Sequence, residues 1–249
     1  MGQQDNEIVL LAGLPRTGST LLQNLLAQNP DVYSEGNSGL CTVMWDAKIS
    51  CEHNAAQQLI GVGKDVTFKN ALLKSMPSIY YPDIKGKIIL DKTRTWVNEA
   101  NICMARSYIS EDVKTIVMVR PAEEIAASLA KVSAKNNFDF SYEALLSEGS
   151  DFLREVHATH YAAKSQDPSF LFVSYDDVVS RTDETLARIY NHIGKEPFAH
   201  NVHQVTQTVF EDDERNNMVG MHDIRPEIAK QANEVVLPDW VKAACENMT

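Results

Sequence analysis

The sequence lacks a long apolar run and is poor in cysteine. Its longest apolar stretch, residues 8–14, is far shorter than the roughly 20 residues that a helix needs to span a bilayer. The polar amino terminus has no basic region of the kind that opens a secretory signal peptide. The 4 cysteines form no CxxC pair, and a chain of 249 residues can build a core without disulfides. These absences predict a cytoplasmic protein with free thiols and no membrane partner.

The chain also lacks an excess of basic residues. It has 23 Lys and Arg against 34 Asp and Glu, which gives a formal net charge of −11. Nucleic-acid-binding domains are usually basic, so this balance argues against a nucleic-acid partner. An anionic ligand would need a cleft in which a few cations converge, because the field of the whole protein repels it.

Short apolar runs alternate with segments of helical period along the chain. This order is typical of βαβ units and predicts an α/β fold, with helices on both sides of a central parallel sheet. The predicted strands are 8–12, 88–90, 115–119 and 170–175, and the clearest predicted helices are 19–28, 122–132 and 183–193. The pattern is weaker over residues 41–82 and after residue 198. No repeat or Pro/Gly-rich linker divides the chain, so we expect a single domain over residues 1–249.

A glycine-rich loop joins the first predicted strand to the first predicted helix. It reads Gly13-x4-Gly18-Ser19-Thr20, and in this context its amides and the helix dipole favour phosphate binding. The hydroxyls of Thr17, Ser19 and Thr20 can add hydrogen bonds. ATP-binding loops of the GxxxxGK[ST] type carry Lys where this chain has Ser19, and the positive charge here comes earlier, at Arg16. A tight turn with Ser and Thr caps is the purely structural interpretation.

A second anion site is indicated about 100 residues later. Arg120 follows the predicted strand 115–119, and Ser128 lies about two turns into the next helix. Ligands of open α/β sheets bind at the carboxyl ends of strands, and the forked donors of Arg suit a phosphate. The alternative for Arg120 is a surface ion pair with Glu123 or Glu124.

These segments together resemble the sulfotransferases that use 3′-phosphoadenosine 5′-phosphosulfate (PAPS). Residues 15–22 (PRTGSTLL) are similar to the family's 5′-phosphosulfate loop, especially in tyrosylprotein and bacterial carbohydrate sulfotransferases. Arg120 with Ser128 is similar to its 3′-phosphate motif. Residues 173–179 (VSYDDVV) resemble a segment whose tyrosine, here Tyr175, lies near the nucleotide. The resemblance implies a three-layer P-loop-like domain, PAPS as donor, PAP as product and no metal ion.

The resemblance also suggests which residues perform the chemistry. Lys92, after the predicted strand 88–90, corresponds to a lysine on the leaving-group side, with Arg94 as a substitute, and Arg16 would share the charge stabilisation. Asn37 is in register with the glutamate base of the tyrosylprotein branch and cannot accept a proton at neutral pH. Glu35, two positions earlier, is therefore the predicted base, with His53 as the alternative.

The acceptor class stays open at this point. The expected reaction transfers a sulfuryl group from PAPS to a hydroxyl or amine of a carbohydrate, a peptide tyrosine or a small metabolite. A P-loop kinase and an inactive nucleotide-binding module are the alternatives, the second favoured by Asn37.

The acidic run 211–214 is predicted to be a solvated loop. Residues 217–226 are predicted to close over the nucleotide or acceptor.

Overall fold

The computed structural model describes residues 6–215, 217–230, 235–246 and 248. Its strands are β1 (Glu7–Gly13), β2 (Val32–Asn37), β3 (Ile88–Lys92), β4 (Lys114–Val119) and β5 (Phe170–Ser174). All neighbouring pairs are parallel, and the strand order across the sheet is β2-β3-β1-β4-β5.

Helices fill most of the connections between these strands. In the described chain they are α1 (Ser19–Leu26), α2 (Leu40–Ile49), α3 (Ala56–Gly61), α4 (Asp65–Tyr80), α5 (Glu99–Tyr108), α6 (Ala122–Lys135), α7 (Tyr142–Leu145), α8 (Asp151–Ser165), α9 (Tyr175–Ser180), α10 (Thr182–His192) and α11 (Asp239–Glu246). A π-helical turn spans Ser50–Asn54, and a 3₁₀ turn spans Arg94–Val97. None of the helices described is long and apolar enough to cross a membrane.

Strand β1 shows why the fold has three layers. Its side chains alternate between the two faces of the sheet, as the period of an extended chain requires. Val9 and Leu11 pack into a core with α1, α9 and α10, whereas Leu10 and Ala12 pack into a second core with α2, α4 and α5. A strand buried on both faces reads as a continuous apolar run, which made β1 easy to predict. The predicted α/β fold with a central parallel sheet is confirmed.

Two regions differ from the sequence-based expectation. Residues 32–37 form the edge strand β2, which was not predicted because its polar residues break the apolar run. The weak region 41–82 is mostly helical. Helix α4 buries only Leu73 completely, so it has no apolar stripe from which a helical period could be recognised.

The topology brings the loops after all five strands to one edge of the sheet. From β1 the chain first fills the side of β3 and β2 and then crosses to the side of β4 and β5. Connections that leave in opposite directions open a crevice between β1 and β4 at the carboxyl ends of the strands. The register places Leu11 of β1 beside Lys92 and Gly13 beside Met118, so the loop after β1 lies over this crevice.

Candidate active site

The loop 13–20 depends on two glycines with positive φ. A Cβ atom on Gly13, where φ is 137°, would lie 2.4 Å from the carbonyl oxygen of Met118 on β4. Gly18 precedes the first residue of α1 with φ at 87°, in the left-handed region. The loop therefore packs tightly on β4 and presents the unpaired first-turn N–H groups of α1 to the crevice.

Arg16 joins this loop to two other parts of the chain. It is a non-glycine residue with a φ of 63°, a conformation that its side-chain contacts help to hold. Its Nε donates to Oγ of Ser128 at 3.0 Å, and its guanidinium also donates to the carbonyl oxygen of Met221. Burial, and secondly the charge of Arg120, lower the pKa of Arg16. A buried cation beside another cation is a favourable place for an anion.

Arg120 and Tyr175 form the neighbouring part of the site. One terminal nitrogen of Arg120 donates to the carbonyl oxygen of Arg16 at 2.9 Å, and Nε donates to Glu124 at 2.9 Å. The ion pair with Glu124, which was the alternative role for Arg120, therefore exists, but Arg120 still lines the crevice. The guanidinium carbon lies 4.3 Å from the centre of the Tyr175 ring, within the range of a cation–π contact.

Lys92 supplies the third cation, at the end of β3. Its side chain is buried, and Nζ lies 2.5 Å from Oε1 of Glu211 and 3.4 Å from Oγ1 of Thr20. Burial lowers the pKa of Lys92, while the carboxylate of Glu211 opposes that effect. The ammonium is thus held against the first turn of α1 by an acidic partner that the sequence did not reveal.

One cavity of about 820 Å³ connects these groups. Residues 220–225, which belong to the segment 217–226 expected to close over the nucleotide or acceptor, form part of its wall. The predicted residues that line it are Arg16, Gly18, Ser19, Thr20, Lys92, Arg120, Ser128 and Tyr175, together with the substitute Arg94.

Thr17 and the predicted bases are placed elsewhere. The Thr17 side chain is buried, and its hydroxyl donates to the carbonyl oxygen of Leu14 at 2.7 Å, so it stabilises the loop internally. Glu35 does not line the cavity, and its Oε2 accepts from the Tyr33 hydroxyl at 2.9 Å. His53 is exposed in the π-helical turn.

The position of Glu35 corrects the expectation that its carboxylate reaches the crevice. Side chains two apart on a strand share a face, so Glu35 lies with Tyr33, which packs against the α2–α4 side of the sheet. Lys92 lies on the opposite face, against Thr20 of α1. The sheet itself therefore separates the predicted base from the predicted cation.

Sequence reasoning missed an acidic group in the cavity. Glu211 and His222 line it, and Asn37, the residue in register with the family base, donates from Nδ2 to Oε2 of Glu211 at 2.5 Å. The acidic run 211–214 is therefore not a uniformly solvated loop. Glu211 and Asp213 are partly buried, whereas Asp212 and Glu214 are exposed. In the sequence, all four acidic residues look alike, so nothing in the pattern distinguishes the two partly buried positions from a solvated loop.

Comparison with known proteins gives an independent result. A sequence model described as the Sulfotransferase family matches residues 9–199. No curated protein sequence matches the chain. The fold is similar to the sulfotransferase domain of the olefin synthase of Synechococcus PCC 7002, with a TM-score of 0.59 and 15% identity, over 100% of this chain and 94% of that one.

Two further solved structures share the fold. The sulfotransferase domain from the curacin biosynthetic pathway has a TM-score of 0.60 and 16% identity, over 99% of this chain and 97% of that one. A sulfotransferase from Mycobacterium tuberculosis H37Rv has a TM-score of 0.52 and 15% identity, over 98% of this chain and 77% of that one. The similarity extends across the whole sheet and its flanking helices.

Proposed function

Because this chain belongs to the Sulfotransferase family and is a sulfotransferase, we propose that it binds PAPS in the 820 Å³ cavity and transfers its sulfuryl group to a hydroxyl-bearing acceptor. The family takes its sulfuryl group from PAPS and releases PAP. The observation that carries the proposal is the convergence of Arg16, Arg120 and Ser128, from two segments about 100 residues apart, in one partly buried cluster.

The cluster fits a ligand with two separate anionic groups. The amides of loop 13–20 and the hydroxyls of Ser19 and Thr20 would hold the 5′-phosphosulfate. Arg120 and Ser128 would hold the 3′-phosphate, since a forked guanidinium and a hydroxyl both donate to phosphate oxygens. Tyr175 would support this side by fixing Arg120 in place. The chain is acidic overall, so this local concentration of cations is what favours the nucleotide.

The contacts of Lys92 support a role for it in the transfer itself. Sulfuryl transfer moves a group between two oxygens in line, and it is accelerated by positive charge on the oxygen that leaves. The ammonium of Lys92 contacts Thr20, in the first turn of the helix that would bind the phosphosulfate. We propose that Lys92, with Arg16, neutralises the charge that develops on the leaving phosphate.

A P-loop kinase is the less favoured function. A kinase of this kind relies on a loop lysine between the β- and γ-phosphates, and Ser19 occupies that position. An inactive nucleotide-binding module would follow from the absence of a base at Asn37. Glu211, which contacts Asn37, supplies a carboxylate at this position, so Asn37 no longer favours an inactive module.

Calorimetry with PAP and with Mg-ATP tests the proposed donor. We expect wild-type protein to bind PAP, and to bind Mg-ATP at least tenfold more weakly. Arg120→Met should weaken PAP binding by about 100-fold and Ser128→Ala by about tenfold, in line with the loss of charged and neutral hydrogen bonds. Arg154→Met removes an exposed arginine paired with Asp151 and serves as the control, with unchanged affinity. Binding of Mg-ATP without binding of PAP would contradict the proposal.

A further inference from the structure

We infer that Glu211 is the general base that deprotonates the acceptor hydroxyl. The inference rests on the proposed function, and it concerns a residue that lies outside the segment matched by the family, residues 9–199. Glu211 comes instead from the irregular chain that follows α10 and returns to the carboxyl edge of the sheet.

The contacts of Glu211 place it at the reacting centre. Oε1 lies 2.5 Å from Nζ of Lys92, and Oε2 accepts from Nδ2 of Asn37 at 2.5 Å. Only 9% of the side chain is exposed. Since Lys92 marks the position of the leaving group, a carboxylate in contact with it is within reach of an acceptor bound on the other side of the transferred group.

The end of β2 is shaped to admit this carboxylate. A Cβ atom on Gly36 would lie 2.4 Å from Cγ of Glu211 and 2.9 Å from the carbonyl oxygen of Phe210. Any other residue at position 36 would therefore displace Glu211 from Lys92. Glycine here is required by a close approach between β2 and the carboxy-terminal segment, since Gly36 is not among the glycines with positive φ.

Helix α1 holds the same segment from the other side. The side-chain oxygen of Asn24 accepts from the backbone N–H groups of Thr208 at 2.6 Å and Val209 at 2.8 Å. Its amide nitrogen donates to the carbonyl oxygen of Thr20 at 2.9 Å. Asn24 is fully buried, so these bonds fix the backbone two and three residues before Glu211 relative to the phosphate loop.

A histidine and a second carboxylate complete the surroundings of Glu211. Nε2 of His222 lies 3.4 Å from Oε2 of Glu211, and its Nδ1 lies 2.5 Å from Asp213. The backbone N–H of His222 also donates to Asp213 at 2.8 Å. The imidazole is therefore oriented toward Glu211, in the position of a group that relays a proton from it to solvent.

The acceptor oxygen forms a bond to sulfur while the bond between sulfur and the phosphate oxygen breaks, and the electron pair of the broken bond stays on that phosphate oxygen. The acceptor proton passes to a carboxylate oxygen of Glu211. Lys92, released from its ion pair as the proton arrives, neutralises the new phosphate charge. One contact thus couples the removal of the proton to the stabilisation of the leaving group.

The test compares Glu211→Gln with Glu214→Gln, an exposed acidic position three residues away. The rate of PAP release from PAPS is measured with phenol, which keeps its proton at neutral pH, as acceptor and with water alone, and PAP affinity is measured by calorimetry. We expect Glu211→Gln to lower both rates by about 100-fold or more, as for the loss of a general base, and to leave PAP affinity within about threefold. Glu214→Gln should leave rates and affinity unchanged.

A relocated carboxylate provides a second measurement. Because the Asn37 amide touches Oε2 of Glu211, Asn37→Glu in the Glu211→Gln background should recover at least tenfold in rate. A Glu211→Gln rate within threefold of wild type, or above it, would show that Glu211 merely blocks Lys92 and would overturn the inference. Loss of rate together with loss of PAP affinity would overturn it too, because the carboxylate would then be structural. Wild-type protein that binds no PAP would instead refute the proposed donor.

Discussion

The ring of Tyr175 lies directly against Gly18, so that a Cβ atom on Gly18 would come within 2.6 Å of Cδ2 of the tyrosine. The same ring contacts the guanidinium of Arg120. The phosphate loop after β1, the arginine after β4 and the tyrosine after β5 are therefore one packed unit. A change in the loop at Gly18 is transmitted to Arg120 through the ring.

Gly18→Ala should consequently weaken PAP binding by at least about 30-fold. The φ of 87° costs an alanine roughly 1–2 kcal/mol, and the clash with Tyr175 adds to that cost. Calorimetry with PAP measures the effect. Gly63→Ala is the matched control, because Gly63 also has a positive φ, at 65°, but a Cβ there meets nothing within 4 Å. Equal affinity of the two variants for PAP would contradict the prediction.

Asp91 holds the loops after β2 and β3 together, and its replacement should destabilise the protein. Its carboxylate is fully buried and accepts from Ser38 at 2.7 Å, Tyr81 at 2.8 Å and the Trp96 indole at 2.7 Å. Asp91→Ala leaves three buried donors unpaired, so we expect the free energy of unfolding in urea to fall by about 3 kcal/mol or more. Ser38→Ala removes only one of the three donors to Asp91, together with the bond that the Ser38 hydroxyl accepts from the N–H of Leu40 at 3.0 Å, at a cost of about 1–2 kcal/mol. Equal losses for the two variants would refute this.

The parts of the site that could be predicted from sequence are those encoded locally. Gly13 and Gly18 stand between an apolar strand and a helix, and Arg120 and Ser128 stand at the end of the next such unit. Parallel strands bring their carboxyl ends to one edge, so these short motifs converge without any knowledge of the long-range contacts. The buried strands could be predicted for the same reason, because apolar runs mark them.

The base could not be predicted in this way. Glu211 meets Lys92 across 119 residues, and no local pattern encodes that pairing. Glu35 was favoured because it lies two positions before Asn37, the residue in register with the family base. The pairing of β2 with β3 shifts register between Ser34 and Asn37, and the face on which each side chain lies depends on that irregularity.

The ion-pair cluster around Glu52 should make stability depend on pH. Nζ of Lys48 lies 2.6 Å and Nζ of Lys69 lies 2.8 Å from the carboxylate of Glu52, so these contacts join the π-helical turn to α2 and α4. The two hydrogen bonds lower the pKa of Glu52 to about 2. A carboxylate with a depressed folded-state pKa contributes stability above its unfolded value, here 4.5, and that contribution is lost as the pH falls toward about 2.

Glu52→Gln should therefore lower the free energy of unfolding at neutral pH by at most about 1 kcal/mol, because the cluster is partly exposed and water and salt screen ion pairs at the surface. The difference from wild type should shrink steadily below pH 4.5. Urea titrations near neutral pH and at two acidic values measure it. The exposed Glu111→Gln controls for the loss of one negative charge. A difference that grows as the pH falls would have the wrong sign for this mechanism.

Asn24 should act on turnover through the position of Glu211. Asn24→Ala removes the acceptor for the N–H groups of Thr208 and Val209 but leaves the residues proposed to bind phosphate in place. We expect PAP release from PAPS to slow by about tenfold, with PAP affinity within about threefold, since a displaced base loses alignment without affecting the nucleotide.

Gln28→Ala is the matched control for Asn24→Ala. Gln28 lies one turn further along, just beyond α1, and exchanges two hydrogen bonds with the backbone of Asn201, at 3.1 Å and 2.7 Å. It therefore also joins this helix region to the carboxy-terminal segment, but at a point remote from Lys92. Its loss should leave turnover unchanged. If the two variants slow PAP release equally, the effect belongs to docking of the whole segment. If Asn24→Ala alone slows it, the bonds at residues 208–209 position Glu211.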